Sequence, residues 1–284
     1  MRAVGVDVSE KRGLDLVVLD DGLRVELHRQ RATIDDLVTL LNSQRPEVVA
    51  IDSPPKWGHS GGSRSAEREL RRLGIQSYGT PSDPAKQENA FYGWMRVGMA
   101  TFEACAQVGY PLYAGGIPVR TAMEVFPHAS AVVLAGGLPP RGLPKLPWRR
   151  SVLAGRGVSL TGLDSLDLVD AGLAALTGIF ALRGESATLG EVADGVIVIP
   201  ARAVPAKRFG RCSAPASQPA QAHLPRLAPC ACGDPECRAM TDGEFAPGHD
   251  AKRKSLLWRM ARDGKDAVAE LRRRGWTLPP DLEE

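Results

Sequence analysis

The first residues of the chain alternate between apolar and polar positions in the manner of β-strands. Residues 4–8 read Val-Gly-Val-Asp-Val, with a valine at every second position. A second apolar run covers residues 14–19, and a further strand-like segment covers residues 23–27. Between them lies Asp21-Gly22, a strong hairpin-turn signal. We therefore predict a β-hairpin over residues 3–31.

The pattern then changes to that of a helix followed by a buried strand. Thr33 and Asp36 have the spacing of a helix capping box, and apolar residues recur on one face up to Leu41. Pro46 closes this element. Residues 48–51 form a continuous apolar run, which is typical of a central strand covered on both faces. A hairpin followed by a helical return favours a mixed sheet in which this strand lies beside the first.

Further elements are predicted along the rest of the chain. Residues 55–118 have the pattern of an insertion-rich stretch that contains an arginine-rich helix. The other predicted elements are an extended segment over 119–127, a basic helix around 148–153, a long buried helix over 163–182 and a last strand over 196–199. This element order predicts an α/β fold.

A change of composition divides the chain. Residues 201–229 are rich in Pro, Ala and Ser and show no periodicity, which indicates a linker. The module after it, residues 230–284, is too short to build much of a core without help. We therefore predict a domain over 1–200, a linker over 201–229 and a small C-terminal module.

Composition and charge narrow the class of protein. The chain has 43% hydrophobic and 24% charged residues, as in ordinary globular proteins. No stretch approaches the roughly 20 apolar residues that cross a bilayer, and the first residues lack a signal-peptide pattern. These features predict a cytoplasmic protein. Residues 201–284 carry 15 basic and 11 acidic residues, an excess that favours a polyanionic partner.

Two aspartates belong to apolar strand segments. Asp7 lies within the first predicted strand, and Asp52 follows the buried run 48–51. An ionised carboxylate in such surroundings is costly unless it is paired or bound to a metal. If the two strands are neighbours, both carboxylates meet at one edge of the sheet, where open α/β folds place their sites. The alternative is that each aspartate caps a turn.

The predicted long helix adds Asp164, Asp167 and Asp170. Acids three residues apart share a helix face and repel one another unless a cation compensates. Asp170 directly precedes the small apolar residues of the helix, so it should lie near the buried surface. An acidic first turn that the helix dipole favours would explain Asp164 well and Asp170 poorly.

Glu124 is a further carboxylate in an extended apolar run, either as a member of the site or in a structural salt bridge. Carboxylates that converge from separate elements suit Mg²⁺ or Mn²⁺, which prefer oxygen ligands. Two such ions can activate a water and stabilise the leaving oxygen in phosphodiester cleavage. The expected catalytic residues are Asp7, Asp52, Glu124, Asp167 and Asp170, with Asp7, Asp52 and Asp170 as Mg²⁺ or Mn²⁺ ligands.

The order of short motifs over residues 1–205 resembles the DUF429 family. The motifs are Val-Gly-Val-Asp7, Ala-Ile-Asp52-Ser-Pro, Arg-Glu-Leu-Arg71-Arg-Leu-Gly74, Glu124-Val-Phe-Pro, Asp167-x-x-Asp170-Ala and Gly-Val-Ile-Val-Ile-Pro200. Members of that family are predicted to be nucleases with an RNase H fold. The resemblance implies an RNase H-like mixed sheet flanked by helices, with Asp7 and Asp52 as strand-borne metal ligands. It also implies a contribution from Asp167, Asp170 or both, and Glu124 matches the family's Glu-aromatic-Pro motif.

The arginine-rich helix and an aromatic segment are candidates for substrate contacts. Arg64, Arg68, Arg71 and Arg72 could contact phosphates, or they could be solvated surface charge. Phe91, Tyr92 and Trp94 could stack on bases or serve as core or lid residues.

The C-terminal module contains a Cys/His cluster. Cys230, Cys232, Cys237 and His249 provide three thiolates and an imidazole, a complete tetrahedral set for structural Zn²⁺. Asp250 or Cys212 could replace His249, and three free thiols in a loop are the other interpretation. The cluster resembles short zinc-binding segments of bacterial and phage proteins. Basic residues follow it up to Arg274, so we expect a zinc-stabilised helical module that docks nucleic acid.

Three functions are consistent with these patterns. The first is a metal-dependent nuclease that hydrolyses phosphodiester bonds of DNA or RNA and binds them through the zinc module. The second is an ATPase or phosphotransferase related to actin and sugar kinases, since residues 5–9 resemble the first phosphate loop of that fold. However, residues 1–200 provide one such domain instead of two, and no Walker lysine is present. The third is a non-catalytic nucleic-acid-binding or scaffold protein, which unneutralised acids disfavour because they repel phosphate.

Overall fold

The computed structural model describes residues 1–59, 63–212, 228–231, 240–241, 249–263 and 267–278. The chain divides into two compact units, Met1–Ala214 and Pro215–Glu284. Within the described residues, no helix is long and apolar enough to cross a membrane.

The first unit contains a sheet and seven α-helices among its described residues. The strands are β1 (Arg2–Ser9), β2 (Gly13–Asp20), β3 (Val25–Ala32), β4 (Val48–Asp52), β5 (Thr121–Val125), β6 (Ala187–Leu189) and β7 (Ile197–Ile199). The helices are α1 (Ile34–Gln44), α2 (Ser65–Arg72), α3 (Pro84–Gln87), α4 (Gly93–Gln107), α5 (Pro127–Ala135), α6 (Lys145–Gly155) and α7 (Leu166–Leu182). Short 3-10 turns cover Ala90–Tyr92 and Val192–Asp194.

The strands form one mixed sheet in the order β3-β2-β1-β4-β5-β7-β6. Strands β1, β4, β5 and β7 run parallel, whereas β2, β3 and β6 are antiparallel to their neighbours. The predicted placement of the 48–52 strand beside the first strand is confirmed. The first unit is therefore an α/β fold with a mixed sheet flanked by helices.

Helices cover both faces of the sheet. Helix α7 crosses β1, β2 and β4 on one face, and α5 and α6 pack against it. Helices α1 and α4 cover the other face. At Gly5 a Cβ atom would lie 1.9 Å from the backbone oxygen of Ala171 and 2.4 Å from the nitrogen of Ala175. Only glycine therefore lets α7 lie this close to β1, two residues before Asp7.

The structure confirms several predicted elements and revises others. Thr33 and Asp36 form the expected capping box at the start of α1. The predicted extended segment 119–127 is shorter as a strand, because Pro127 takes the first position of helix α5. Helix α4 was not predicted, since Gly93 and Gly98 interrupt its apolar pattern. Gly98 is required there because its position leaves no room for a side chain beside Ser53.

The first unit extends past the predicted domain end at residue 200. The backbone nitrogen of Phe209 donates to the oxygen of Leu73 at 2.9 Å, and that of Cys212 donates to Leu138 at 2.8 Å. The first dozen residues of the segment expected to be a linker therefore pack within the first unit. Most of the remainder, residues 213–227, lies outside the described part of the chain.

The second unit contains β8 (Ala228–Pro229), β9 (Met240–Thr241), α8 (His249–Arg262) and α9 (Val268–Arg273). Strands β8 and β9 pair antiparallel. The two helices pack around Leu257, Ala261 and Leu271, with Trp258 and Trp276 at the margin of this small core. Arg253 and Arg274 both donate to the carboxylate of Glu270 and link α8 to the end of α9.

Candidate metal centre

The carboxyl ends of β1 and β4 place two of the predicted acids side by side. Asp7 and Asp52 are register partners in the parallel β1–β4 pair. Side chains alternate along a strand, so Asp7 shares a face with Gly5, and Asp52 shares that face with Ala50. Gly5 contacts α7, and Ala50 belongs to the core beneath α7. Both carboxylates therefore point to the α7 face, and they meet at one edge of the sheet as the sequence predicted.

The start of α7 brings two more acids to this face. Ser165 caps the helix by accepting a hydrogen bond from the backbone nitrogen of Leu168 at 3.1 Å. Asp167 lies in the first turn and Asp170 one turn later, both on the side that faces the sheet. Asp164 lies before the helix with a side chain 85% exposed, which separates it from the cluster. The expected catalytic set had likewise contained Asp167 and Asp170 and left out Asp164.

Asp15 joins the cluster from β2. It is the register partner of Asp7 across the antiparallel β1–β2 pair. Carboxylate oxygens of Asp7, Asp15 and Asp167 all lie within 4.8 Å of one another, close enough to share one metal ion. Sequence analysis missed Asp15, although the signal was present: it is an acid between Leu14 and Leu16 in an apolar strand, as Asp7 is in its own strand.

Asp170 is held by a buried arginine, whereas Asp167 is paired with the exposed Arg12. Arg149 of α6 donates a hydrogen bond to Oδ2 of Asp170, and both side chains are buried. Within the described part of the chain, Arg149 Nε and Asp170 Oδ1 are among the buried atoms that lack a hydrogen-bond partner. The expected ligand set of Asp7, Asp52 and Asp170 is therefore not the tightest group. Carboxylate oxygens of Asp15 and Asp167 lie within 4.8 Å of one of Asp7, whereas Asp170 is held by Arg149.

The cluster carries more negative charge than its surroundings neutralise. Burial raises the pKa of Asp7 to about 9, and the charge of Asp52, followed by those of the α7 acids and Asp15, adds to this effect. Burial also raises the pKa of Asp52 well above its usual value. It raises the pKa of Asp170 to about 6, against the opposing effect of Arg149. A bound cation would relieve this repulsion and favour the ionised carboxylates.

Glu124 lies on the other face of the sheet. Its neighbour Met123 packs in the core under α7, so alternation directs Glu124 to the α4 side. Both of its oxygens accept hydrogen bonds from the Arg64 guanidinium, at 2.7 and 2.5 Å. Glu67 and Thr80 complete this buried network around Arg64. Of the two roles considered for Glu124, the structure shows the salt bridge.

The predicted phosphate contacts of the arginine-rich helix change because Arg64 belongs to this network. Arg64 is 2% exposed, so its side chain is not accessible to a substrate phosphate. Arg68, Arg71 and Arg72 remain exposed on α2. Sequence reasoning did not distinguish Arg64 from the other three because burial of an arginine depends on partners that lie far away in the sequence, here Glu124.

Two clefts meet at Trp94. One is an open cleft that Asp7, Lys11, Arg12 and Asp167 line, and there Arg12 Nη1 lies 2.7 Å from Oδ2 of Asp167. The other is a cavity of about 240 Å³ between the ends of β4 and β5 and the chain around α2 and α4. Trp94 lines both.

Fold and site together define an α/β protein with a cluster of acids at the carboxyl ends of parallel strands in a mixed sheet. The sequence matches the family described as protein of unknown function (DUF429) over residues 5–194, more than half of the chain. The chain belongs to this family. No curated protein and no solved structure matches it.

The predicted zinc site falls mostly outside the described residues. Cys232 and Cys237 are not among them, and the structure describes the backbone of His249 and Asp250 without their side chains. Cys212, considered as a replacement ligand, belongs to the first unit, where its Sγ lies 3.8 Å from the backbone oxygen of Ala135.

Proposed function

We propose that this chain is a divalent-metal-dependent nuclease on an RNase H-like sheet, acting on phosphodiester bonds of DNA or RNA. The observation that carries the proposal is the cluster of Asp7, Asp15 and Asp167, whose carboxylate oxygens lie within 4.8 Å of one another. Asp52 stands beside Asp7 in the neighbouring strand. Acids from separate elements with raised pKa values are typical of metal centres and active sites.

The donor set fits Mg²⁺ or Mn²⁺. All available ligand atoms are carboxylate oxygens, which these hard cations prefer, whereas zinc sites usually include nitrogen or sulfur. Asp7, Asp15 and Asp167 would hold the ion, with Asp52 as a further ligand. When bound, such an ion acts as a Lewis acid and activates a water for hydrolysis. Because Asp7 must lose a proton to bind, metal affinity should rise with pH.

Basic residues at the mouth of the acidic cleft would bind the substrate backbone. Lys11 and Arg12 line the cleft together with Asp7, and the side chain of Arg12 is 58% exposed. They can therefore contact phosphate oxygens while the acids hold the metal. Arg149 acts as a positioning residue, since its hydrogen bond to Asp170 fixes that carboxylate next to Asp52.

The C-terminal unit would supply additional affinity for nucleic acid. Arg259, Arg262, Arg272 and Arg273 are exposed on its two helices. Arg253, in contrast, is engaged with Glu270 inside the unit. Exposed arginines of this kind contact phosphates without regard to sequence, so binding through them should weaken as salt increases.

The test is cleavage of labelled single-stranded, duplex and hybrid DNA and RNA with Mg²⁺, with Mn²⁺ and with EDTA. Wild-type protein should cut at least one substrate with metal and none with EDTA. Asp7→Asn and Asp15→Asn should reduce cutting by at least about 100-fold, since each removes a metal ligand.

The matched control is Asp164→Asn, which changes the same residue type on an exposed side chain outside the cluster. It should cut as wild type does. Cutting that survives EDTA, or that Asp7→Asn leaves intact, would reject the metal centre. No cutting of any substrate, with nucleic-acid binding intact, would favour the non-catalytic scaffold.

A further inference from the structure

We propose that the cavity beside the acid cluster binds one unpaired nucleobase, which makes single-stranded nucleic acid, or a frayed end, the substrate of this site. The inference rests on the proposed nuclease function for the identity of the polymer. Apart from Asp52, the cavity is lined by residues that the acid cluster does not use.

The size of the cavity suits a single base. Its volume is about 240 Å³, below the roughly 300–1,000 Å³ of pockets for drug-sized ligands. A base pair would not fit such a space. A base that remains stacked inside a helix could not enter this space, because enzymes reach such bases only after they leave the stack.

The walls of the cavity have the chemistry that a base requires. Tyr78, Trp94 and Phe126 line it together with aliphatic side chains that include Met95. Aromatic side chains stack on any base, because every base has a π-face. The hydroxyl of Ser77 also lines the cavity and can donate or accept a hydrogen bond at the edge of a base. Most of the wall surface is therefore apolar, although charged and hydroxyl side chains also line the cavity.

The charge of the cavity favours a base over a phosphate. Among the described residues, Asp52, Glu67 and Glu124 line it, and the single arginine in that lining, Arg64, binds Glu124 and Glu67. A phosphate would meet net negative charge in this space. The adjoining cleft is also lined by acids, Asp7, Glu10 and Asp167, but it has two exposed basic side chains, Lys11 and the Asp167-paired Arg12, that can reach a phosphate. Base and phosphate thus have separate places on the two sides of Trp94.

The two clefts adjoin each other, and this defines how a bound nucleotide would lie across the site. Val8 and Trp94 line both, and the paired Asp7 and Asp52 each line one of them. A nucleotide with its base in the cavity and its phosphate in the cleft would therefore cross the carboxyl ends of β1 and β4, where the acids lie.

An aromatic rim extends the site outward. The rings of Tyr78 and Phe91 meet edge to face with centroids 5.3 Å apart, and Phe91 and Tyr92 meet at 5.0 Å. Tyr78 is 66% exposed and Phe91 53% exposed, which is unusual for large rings that serve only the core. They provide a stacking surface for a neighbouring base of a single strand.

The experiment measures binding to the full chain carrying Asp7→Asn, which prevents turnover. Fluorescence anisotropy would compare a labelled short single strand with a blunt duplex of the same sequence. A second probe would be the same strand with one 2-aminopurine, whose emission reports whether a base has left the stack. We expect the single strand to bind at least tenfold more tightly than the duplex, with a change in 2-aminopurine emission.

The variants test the cavity itself. Trp94→Ala should weaken single-strand binding about fivefold or more, the effect of losing one stacking partner, and leave duplex binding unchanged. Trp94→Phe should restore most of the affinity. Tyr78→Ala, at an exposed side chain whose loss should not impair folding, should weaken binding in the same direction. Val119→Ala, which removes exposed apolar surface outside the cavity lining, should have no effect.

Equal affinity for single strand and duplex, or Trp94→Ala and Tyr78→Ala variants that bind as tightly as their parent, would overturn the proposal. Its failure differs from failure of the nuclease proposal. Metal-dependent cutting of duplex without cavity binding would reject the base site alone, whereas single-strand binding without cutting by the wild-type chain would reject the nuclease alone.

Discussion

At the scale of single residues, the acids of this chain differ because their partners differ. Among the described residues, Asp7 has acids around it and no arginine that donates a hydrogen bond to it, and burial and like charges raise its pKa to about 9. Glu124, which is more deeply buried, has both oxygens bound by Arg64. The same residue class thus gives a metal-ligand candidate in one place and a structural ion pair in another.

The pKa of Asp7 predicts how stability depends on pH. Its usual value is near 3.8, and in the folded protein without metal it rises to about 9. Between these values the folded state keeps a proton that the unfolded chain has lost, so Asp7 makes stability fall as pH rises. Asp7→Asn should remove this effect. Without metal at pH 8 the variant should melt at least ~2–4 °C above wild type, about 1 kcal/mol.

Thermal melts at pH 5 and pH 8, with and without Mg²⁺, would check this prediction. Mg²⁺ should raise the melting temperature of wild type at pH 8 and leave Asp7→Asn unchanged, because binding to the folded state alone stabilises it. A wild-type protein more stable at pH 8 than the variant, without metal, would contradict the assigned surroundings of Asp7.

The ion pair of Arg64 and Glu124 gives a second prediction. Glu124→Gln removes the negative charge that neutralises the buried Arg64 guanidinium, so we expect the free energy of unfolding to fall by about 3 kcal/mol. The Mg²⁺-induced rise in melting temperature should persist, since Glu124 lies on the other face of the sheet. Chemical denaturation and melts with Mg²⁺ would measure both. Exposed Glu103→Gln serves as the control, with a change within ~0.5 kcal/mol.

The outcome separates the two roles of Glu124. Unchanged stability together with loss of the Mg²⁺ effect would make Glu124 a metal ligand and reject the salt-bridge interpretation.

At the scale of elements, the site depends on how closely α7 lies against β1. The backbone of α7 at Ala171 and Ala175 occupies the space that a side chain at Gly5 would need. The same helix carries Asp167 and Asp170 toward Asp7. A glycine in a strand usually weakens it, and here it permits close packing of a helix.

We predict that Gly5→Ala separates helix and strand. A Cβ at 1.9 Å from a backbone atom cannot be accommodated by side-chain movement, so α7 must shift, at a cost of about 2–3 kcal/mol or more. The shift should also weaken metal binding by moving Asp167 away from Asp7. Denaturation curves and Mg²⁺-dependent melts would measure the two effects.

Gly155→Ala is the matched control, because the site of its Cβ has no neighbour within 4 Å and lies in helix α6. It should be neutral or slightly stabilising. A Gly5→Ala protein as stable as wild type, with an unchanged Mg²⁺ effect, would show that the contact with α7 does not set the geometry of the site.

At the scale of the whole molecule, the two units differ in how they obtain stability. The first has an extensive core on both faces of its sheet. The described core of the second is small, centred on residues such as Leu257 and Leu271, with Glu270 held by two arginines. Units of that size commonly require a metal or a disulfide.

We therefore predict that the full chain binds one structural zinc through the C-terminal cysteines. Metal analysis of purified protein should find about one zinc per chain, and Cys230→Ser should reduce it strongly, since thiolates are the strongest ligands of the set. Chelation should lower the stability of the second unit while the first keeps its Mg²⁺ response.

Cys212→Ser is the control, because Cys212 lies in the first unit. It should retain zinc. Zinc lost in this variant as well would identify Cys212 as the fourth ligand in place of His249, and absence of zinc from wild type would favour free thiols.

The sequence alone determined the parts of this protein that depend on local patterns. The alternation in residues 4–8, the Asp21-Gly22 turn and the Thr33 capping box depend on residues close together in the chain, and the structure confirms them. The motif order was sufficient for the family. It also indicated that Asp7 and Asp52 would lie together, because parallel strands end at one edge of a sheet.

Only the tertiary structure decided which acids form one group and which basic residues are accessible. Asp15 lies beside Asp7 across the β1–β2 pair. Arg149 donates a hydrogen bond to Asp170, and Arg64 donates to Glu124. Each of these contacts joins different elements. A side chain's charge state and accessibility depend on such distant partners, so the residue type and its neighbours in the sequence do not determine them.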